Sequence, residues 1–472
     1  MSLEPPEDQD IVIVGGTGDL ARRKLLPALY NLYLDGLLPP QGAIIGYARG
    51  EMDDGGFRTL AEDAIHEFSR RPLERARWGG FAERLRYVRG TTDGFPGVKA
   101  LCAQPRRLVY LAIPSSTFCA TIETLAAAAG MVEGTRLVVE KPFGHDLASS
   151  RALAETIQAT FDESQVFRID HYLGKETVQN IIVFRFGNAV FERIWNRDCI
   201  DHVQFTVAES IGVEGRGEFY EETGALRDIL QNHVLQVLAL LTMEGPGSLK
   251  AEAVRDEKAK LFQAMRPLEP ADIVRGQYTG SLVDGRRVAA YRKEPGVAAN
   301  SQTETFAAMR LFIDSWRWGG VPFYLRTGKR MPRRTTQVAI VFREAPVHLF
   351  AGTGVDALKP NLLNISIQPE EEITLQFLAK EPVQEMSVRP VEMQFSYDES
   401  FKAQPAEAYE RLIHDAMDGD HTLFARADSV DRAWEVVEPV LNALPPVEFY
   451  RAGTWGPKGA DELIGPRLWH LR

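Results

Sequence analysis

The chain predicts two architectures in series. The first is an N-terminal Rossmann doubly wound parallel sheet of α/β class. The second is an α+β C-terminal domain with a large, mostly antiparallel sheet and helices. Three observations predict this. Strand-like and helix-like stretches alternate over roughly the first 170 residues. The strands there are apolar nearly throughout, as buried parallel strands are. Beyond about residue 180 several consecutive strands alternate apolar and polar residues instead, the pattern of a sheet with one face covered.

The elements follow in order. "DIVIVGG" is an apolar run closed by glycines, and "LLPALYNLYLDG" follows with helical spacing and a glycine stop. "AIIGYAR" reads as a second strand, and the region of "FRTLAEDAIHEFSRR" as a helix. "LRYVRG", "RLVYLAIP", "TRLVVEKP" and "QVFRID" are further strands, with helices over "TFCATIETLAAAAG" and "ASSRALAETIQATF". In the second half, "HVQFTVAE", "TQVAIVF", "NLLNISIQ", "ITLQFLAK" and "VEMQFSY" have period 2. Helices are expected there near 224–243, 248–265, 405–417 and 430–443. The boundary is set at 178, giving a nucleotide-binding domain over 1–178 and a substrate-binding and oligomerisation domain over 179–472.

The bulk properties exclude several classes. The 472 residues carry a net charge of -11 without a basic block, which argues against a nucleic-acid partner. No apolar run reaches the ~20 residues of a membrane helix, and "MSLEPPEDQD" has no apolar leader core. The three cysteines are isolated, and no Cys/His cluster suggests a metal. A cytoplasmic protein without metal is expected.

Four segments carry chemistry. In "IVIVGGTGDLARRKLLP", Gly15, Gly16 and Gly18 end the first strand and a helix starts near Asp19. Such a turn lets the backbone approach a pyrophosphate at a helix N-terminus, or is simply a tight turn. The second strand ends in Arg49, where NAD-specific chains usually carry an acid. A cation suits a ribose 2′-phosphate, and an ordinary solvated arginine is the alternative. Glu51 nearby leaves room for some NAD use. "RIDHYLGKE" puts Asp170, His171, Tyr172 and Lys175 at a strand end, as a phosphate or carboxylate site or an exposed charged turn. In "GALRDILQNHVLQVLALL", His233 lies beside an apolar helical face, as a core histidine or a base. Glu209 is in phase with Val203, Phe205 and Val207, so its carboxylate is expected on the buried side.

"GGTGDLARRKLLPALYNLY", "VVEKPFGHDL", "RIDHYLGKE", "GVEGRGEFYEETGALRDILQNH" and "GVPFYLRTGKRM" together resemble the glucose-6-phosphate dehydrogenase family, from about residue 10 to "RAGTWGP". The resemblance implies hydride transfer from C1 of glucose 6-phosphate to NADP, the first step of the oxidative pentose phosphate route. It implies His233 as general base and Asp170 as the carboxylate orienting it. His171, Tyr172 and Lys175 resemble the binders of the substrate phosphate. Glu209 and Asp228 resemble binders of the sugar hydroxyls, and Lys329 and Arg334, with Gln368, resemble contacts from the far side. Lys141 is similar to the lysine between cofactor and sugar, and its bond to Pro142 is a candidate cis peptide. Gly15, Gly16, Thr17, Gly18, Asp19, Leu20, Arg49 and Pro114 carry over as cofactor residues, with Phe118 beside them. Gly50 stands where many members have Ser or Thr, which loosens the expected NADP preference. A homodimer or homotetramer built on the large sheet is implied by analogy. Rival readings are a dehydrogenase for another sugar phosphate, and a nucleotide sensor without catalysis.

Overall fold

The computed structural model describes residues 3–90, 95–128, 130–283, 285–346, 349–350, 358–401 and 406–471. The chain forms two compact units. One comprises Met1–Lys175, Pro246–Glu257 and Pro405–Asp431; the other comprises Glu176–Gly245, Lys258–Gln404 and Arg432–Arg472.

In the first unit, β1 (Asp10–Val14), β2 (Ile44–Ala48), β3 (Leu85–Arg89), β4 (Arg107–Leu111), β5 (Thr135–Val139) and β6 (Val166–Ile169) are parallel, in the order β6-β5-β4-β1-β2-β3. The β-branched runs of β1 and β5 are buried, as strands covered on both faces must be. Val12, Val109 and Leu137 pack with Phe118, Ile122, Leu153 and Ile157 from the helices Phe118–Ala127 and Leu147–Gln158. The latter helix starts at a capping box in which Ser149 N donates to Asp146 Oδ1 at 2.7 Å.

Two late segments join this unit. The short strand Phe424–Ala425 runs antiparallel to β6 on its outer edge. The helix Ala408–Asp418 packs on the helix Leu26–Asp35, where Asn31 Nδ2 donates to Glu410 Oε1 and Arg70 forks onto the Glu410 carboxylate, all at 2.8 Å. A single cut at 178 assigns this helix to the second domain; its buried carboxylate and its partners group it with the first unit.

The second unit holds β7 (Ile200–Ala208), β8 (Ile273–Thr279), the hairpin β9 (Ser281–Val283) and β10 (Arg286–Val288), β11 (Phe306–Leu311), β12 (Phe323–Gly328), β13 (Thr335–Phe342), β14 (Leu362–Gln368), β15 (Glu372–Lys380), β16 (Val388–Ser396) and the strand Val447–Arg451. Apart from the hairpin they form one sheet, ordered β16-β15-β14-β13-β7-β12-β11-β8 and then Val447–Arg451. It is antiparallel except at β7–β12 and at β8 with Val447–Arg451.

The expectation of one covered face fails in the middle of this sheet. Gln204, Thr206 and Gln337 are as buried as their apolar neighbours. The C-terminal segment lies over them: Gln204 Nε2 donates to Leu468 O, His470 N donates to Gln204 Oε1, and Gln337 Nε2 donates to His470 O, at 2.7–2.9 Å. Period 2 identified the strands, but the polar face meets backbone rather than water.

His202 joins this layer. It lies 2.7 Å from Asp201 Oδ2 through Nδ1 and 2.8 Å from Gln204 Nε2 through Nε2. An amide donor against Nε2 fits a neutral ring protonated at Nδ1. Burial lowers its pKa from 6.5 to about 4. The unfolded chain therefore binds a proton that the folded chain refuses between pH 6.5 and 4. Stability from this site is complete above pH 6.5 and is lost as pH falls toward 4, amounting to roughly 3 kcal/mol. Urea unfolding across that window should show the loss, and His202→Gln should flatten it.

Candidate active site

The first unit places its candidates at the carboxyl ends of its strands. Gly15 has φ +90°, and a Cβ there would lie 2.2 Å from Ala112 O. A Cβ on Gly16 would lie 2.7 Å from Gly46 Cα. The neighbouring strand ends therefore demand these two glycines before any ligand does. Gly18 N donates to Gly15 O at 2.8 Å, closing the turn that carries half-buried Thr17. Exposed Asp19 and half-buried Leu20 open the helix, with Arg23 Nε donating to Asp19 Oδ1 at 2.7 Å.

After β2, Arg49 is exposed and has no ion pair among the described residues. The backbone around it is pinned from β3, since Tyr87 OH donates to Ala48 O at 3.0 Å and Gly50 O at 2.7 Å. Glu51 is taken up by Arg89, at 2.5 Å. The cation is thus presented openly while the nearby acid is already paired. Pro114 follows β4 and accepts from the backbone and hydroxyl of Thr117. Phe118 is a core residue, 1% exposed, in the cluster under the sheet.

Lys141, half-buried, follows β5, and its bond to Pro142 is cis. Sequence reasoning passed over its neighbour Glu140. Tyr110 OH donates to Glu140 Oε1 at 2.6 Å, and the Tyr409 hydroxyl bonds the same carboxyl. Burial raises the Glu140 pKa, as it does those of both tyrosines. The one available signal was an acid continuing the apolar run of "LVVE"; Tyr409, some 270 residues away, gave none.

After β6, Asp170 is buried and its Oδ1 accepts from Tyr172 N at 3.0 Å, while its carbonyl accepts from Leu173 N. This local bond folds residues 170–175 into a tight turn. Lys175 Nζ lies 4.5 Å from the Tyr172 ring centroid, and the His171 ring lies 5.2 Å from that of Tyr172. Tyr409 stands parallel to His171 at 6.4 Å. One turn thus gathers a cation, an imidazole and a phenol, as an oxyanion site requires.

The second unit carries the remaining candidates. Glu209 and Lys329 directly follow the paired ends of parallel β7 and β12. Lys329 Nζ donates to Glu209 Oε2 at 2.5 Å and lies 5.0 Å from the Tyr220 ring centroid. Glu209 is 34% exposed, so it sits at the rim rather than on the buried side, satisfied by that lysine. Arg334 is exposed, and its Nη2 donates to Gln368 Oε1 at 3.3 Å. Gln368 Nε2 donates to Thr336 Oγ1.

Asp228 and His233 lie on a segment expected to be an α-helix. Over Leu226–Val234 the hydrogen bonds instead run i→i+5, and ordinary α-helix resumes over Leu235–Thr242. Residues five apart lie about 140° apart around an α-helix. At the ~4.4 residues per turn of the wider helix they lie ~50° apart. The widening therefore brings half-buried Asp228 and fully buried His233 toward one face. A similar wide turn spans Ala21–Leu25 in the helix after the glycines.

Two family models match the chain: the NAD binding domain of glucose-6-phosphate dehydrogenase over residues 12–180, and its C-terminal domain over 182–470. The chain is 44% identical to glucose-6-phosphate 1-dehydrogenase 2 of Mycobacterium tuberculosis, covering 96% of this chain and 92% of that one. It is 44% identical to glucose-6-phosphate 1-dehydrogenase of Mycolicibacterium smegmatis, over 99% and 98%. A solved glucose-6-phosphate dehydrogenase in complex with its substrate glucose 6-phosphate superposes with TM-score 0.91 at 37% identity, over the whole of both chains. The Mycobacterium avium enzyme superposes with TM-score 0.88 at 37% identity, over 99% of each chain. Fold, motif order and these matches agree over almost the full length, and the chain belongs to the glucose-6-phosphate dehydrogenase family.

Proposed function

We propose that this protein oxidises glucose 6-phosphate at C1 to 6-phosphoglucono-1,5-lactone, with NADP as acceptor, the first step of the oxidative pentose phosphate route. The single observation carrying the assignment of residues is the 170–175 turn, which clusters Lys175, His171 and Tyr172 beside a buried carboxylate. His233 takes the proton of the C1 hydroxyl, and Asp170 orients it and balances its charge. His171, Tyr172 and Lys175 hold the phosphate. Glu209 and Asp228 accept from sugar hydroxyls, and Lys329 and Arg334 supply positive charge. When bound, the nicotinamide accepts the hydride leaving C1.

The residues of the first unit suit that cofactor. The Gly15–Gly18 turn, with Thr17, opens a helix at Asp19 and Leu20, where backbone N–H groups favour phosphate. Pro114 and Lys141 complete the cofactor contacts. Arg49 is exposed and without an ion pair among the described residues, whereas Glu51 is paired with Arg89, which favours a 2′-phosphate over a bare 2′-hydroxyl. A serine at position 50 would fit without strain, its Cβ meeting nothing nearer than Tyr87 OH at 3.8 Å. Gly50→Ser should therefore lower KM for NADP by about 2- to 10-fold, one added hydrogen bond, and leave KM for NAD unchanged. Absorbance at 340 nm with glucose 6-phosphate and either nucleotide tests the whole reading. Failure to reduce either nucleotide would overturn it.

No described helix is long and apolar enough to cross a membrane, and a cytoplasmic location follows the family. Assembly into a homodimer or homotetramer is supported by the outer strand β16, where Met393 is 61% exposed. Sedimentation velocity would read it.

A further inference from the structure

Within the second unit, the helix that carries Asp228 and His233 is anchored by a buried carboxylate. Glu304 lies in the loop before β11 and is 2% exposed. Its Oε1 accepts from Leu226 N at 3.2 Å, and its backbone carbonyl accepts from Ala225 N at 3.0 Å. Those amides lie at the start of the wide-turn helix, where N–H groups lack partners within the helix. Its Oε2 is held by Arg275, through Nε at 3.1 Å and Nη2 at 2.8 Å. Arg275 is 5% exposed and is itself fixed to Gln302 O and Pro445 O.

The chain makes room for this carboxylate. Gly224, with φ +66°, interrupts the preceding helix, and a Cβ there would lie 2.4 Å from Glu304 Oε1. The far end of the helix is also fixed. Arg185 Nη1 donates to Leu240 O, Trp195 Nε1 to Leu241 O, and Trp318 Nε1 to Thr242 O, at 2.7–3.1 Å. Between those ends, the i→i+5 stretch alone sets the angular phase of Asp228 and His233. A helix with wide turns is intrinsically uncommon and is retained where surrounding structure determines it.

We infer that Glu304, held in place by Arg275, is a positioning residue that sets the phase of the helix presenting Asp228 and His233 to the sugar phosphate. The inference rests on the roles proposed above for those two side chains. Glu304 itself touches no reacting atom.

Steady-state kinetics per folded molecule, with thermal melting as control, tests this on three variants. Glu304→Gln keeps an oxygen that can accept from Leu226 N. Glu304→Asp keeps the charge facing Arg275 but withdraws the oxygen by one methylene, so the buried cation remains compensated and the chain folds. Glu304→Ala removes both. With glucose 6-phosphate and NADP, the Asp and Ala variants should lose at least 10-fold in kcat/KM for the sugar phosphate. KM for NADP should stay within 2-fold, and the Gln variant should stay within about 3-fold of wild type in all constants despite a lower Tm. Wild-type sugar constants in Glu304→Asp, or a Gln variant as impaired as Ala, would overturn the inference. His233→Asn, assayed alongside, separates the two readings. Full turnover there would overturn the base assignment, while KM for the sugar phosphate, which senses Asp228, would still decide the anchoring.

Discussion

Replacing His233 by asparagine is expected to lower kcat by ~10²–10⁴-fold, the usual contribution of a positioned general base, with little change in KM for glucose 6-phosphate. Asparagine is close to histidine in size and can still hydrogen-bond a hydroxyl. It cannot accept a proton at neutral pH. His233 is fully buried on a helix whose carboxyl end is held by Arg185, Trp195 and Trp318, so the change should leave the backbone in place. A fall in kcat with constant KM marks an interaction used only in the transition state. Near-normal kcat in the variant would sink the assignment.

Lys175→Ala is expected to act on the other constant. A charge-assisted hydrogen bond to phosphate contributes about 1.5–3 kcal/mol, or ~10- to 150-fold in binding. Because the phosphate does not change during oxidation at C1, its contacts hold ground and transition states alike. KM for glucose 6-phosphate should rise by that factor while kcat stays within a few-fold. The Tyr172 ring keeps the lysine near the turn at 4.5 Å, so little ordering remains to be done on binding. Initial rates against substrate concentration measure both constants, and an unchanged KM would remove Lys175 from the phosphate site.

What the sequence made legible follows from how local each signal is. Every strand of the parallel sheet from β1 to β6 stood out, because a buried parallel strand is apolar throughout and is bounded by its own turn residues. The 170–175 cluster was equally readable, since its groups lie within six residues of one another and the Asp170–Tyr172 bond that folds them is local. The wide turns over Leu226–Val234 were not readable. They change the hydrogen-bond partner, not the residue types, and the apolar positions fit an α-helix nearly as well. Glu140 with Tyr409, and Glu304 with Leu226, are contacts between distant segments that no spacing encodes. Glu209 shows the opposite failure. Its phase along β7 was right, but strand phase cannot tell that the strand stops there and that Lys329 waits beside it.

The short strand Phe424–Ala425 gives the first unit a timing problem during synthesis. It pairs Phe424 with Ile169 and Ala425 with Arg168, so the outer edge of β6 is completed only after roughly 250 further residues have been made, ~10–50 s at 5–20 residues per second. Through that interval the nascent sheet offers an unpaired edge to any neighbouring chain. Arg168 is already tied to nearby Glu163 at 2.7 Å, which places a paired charge at the exposed border before its proper partner arrives. Two residues near the carboxyl end thus act as the latch that ends the vulnerable phase of a domain begun more than four hundred residues earlier.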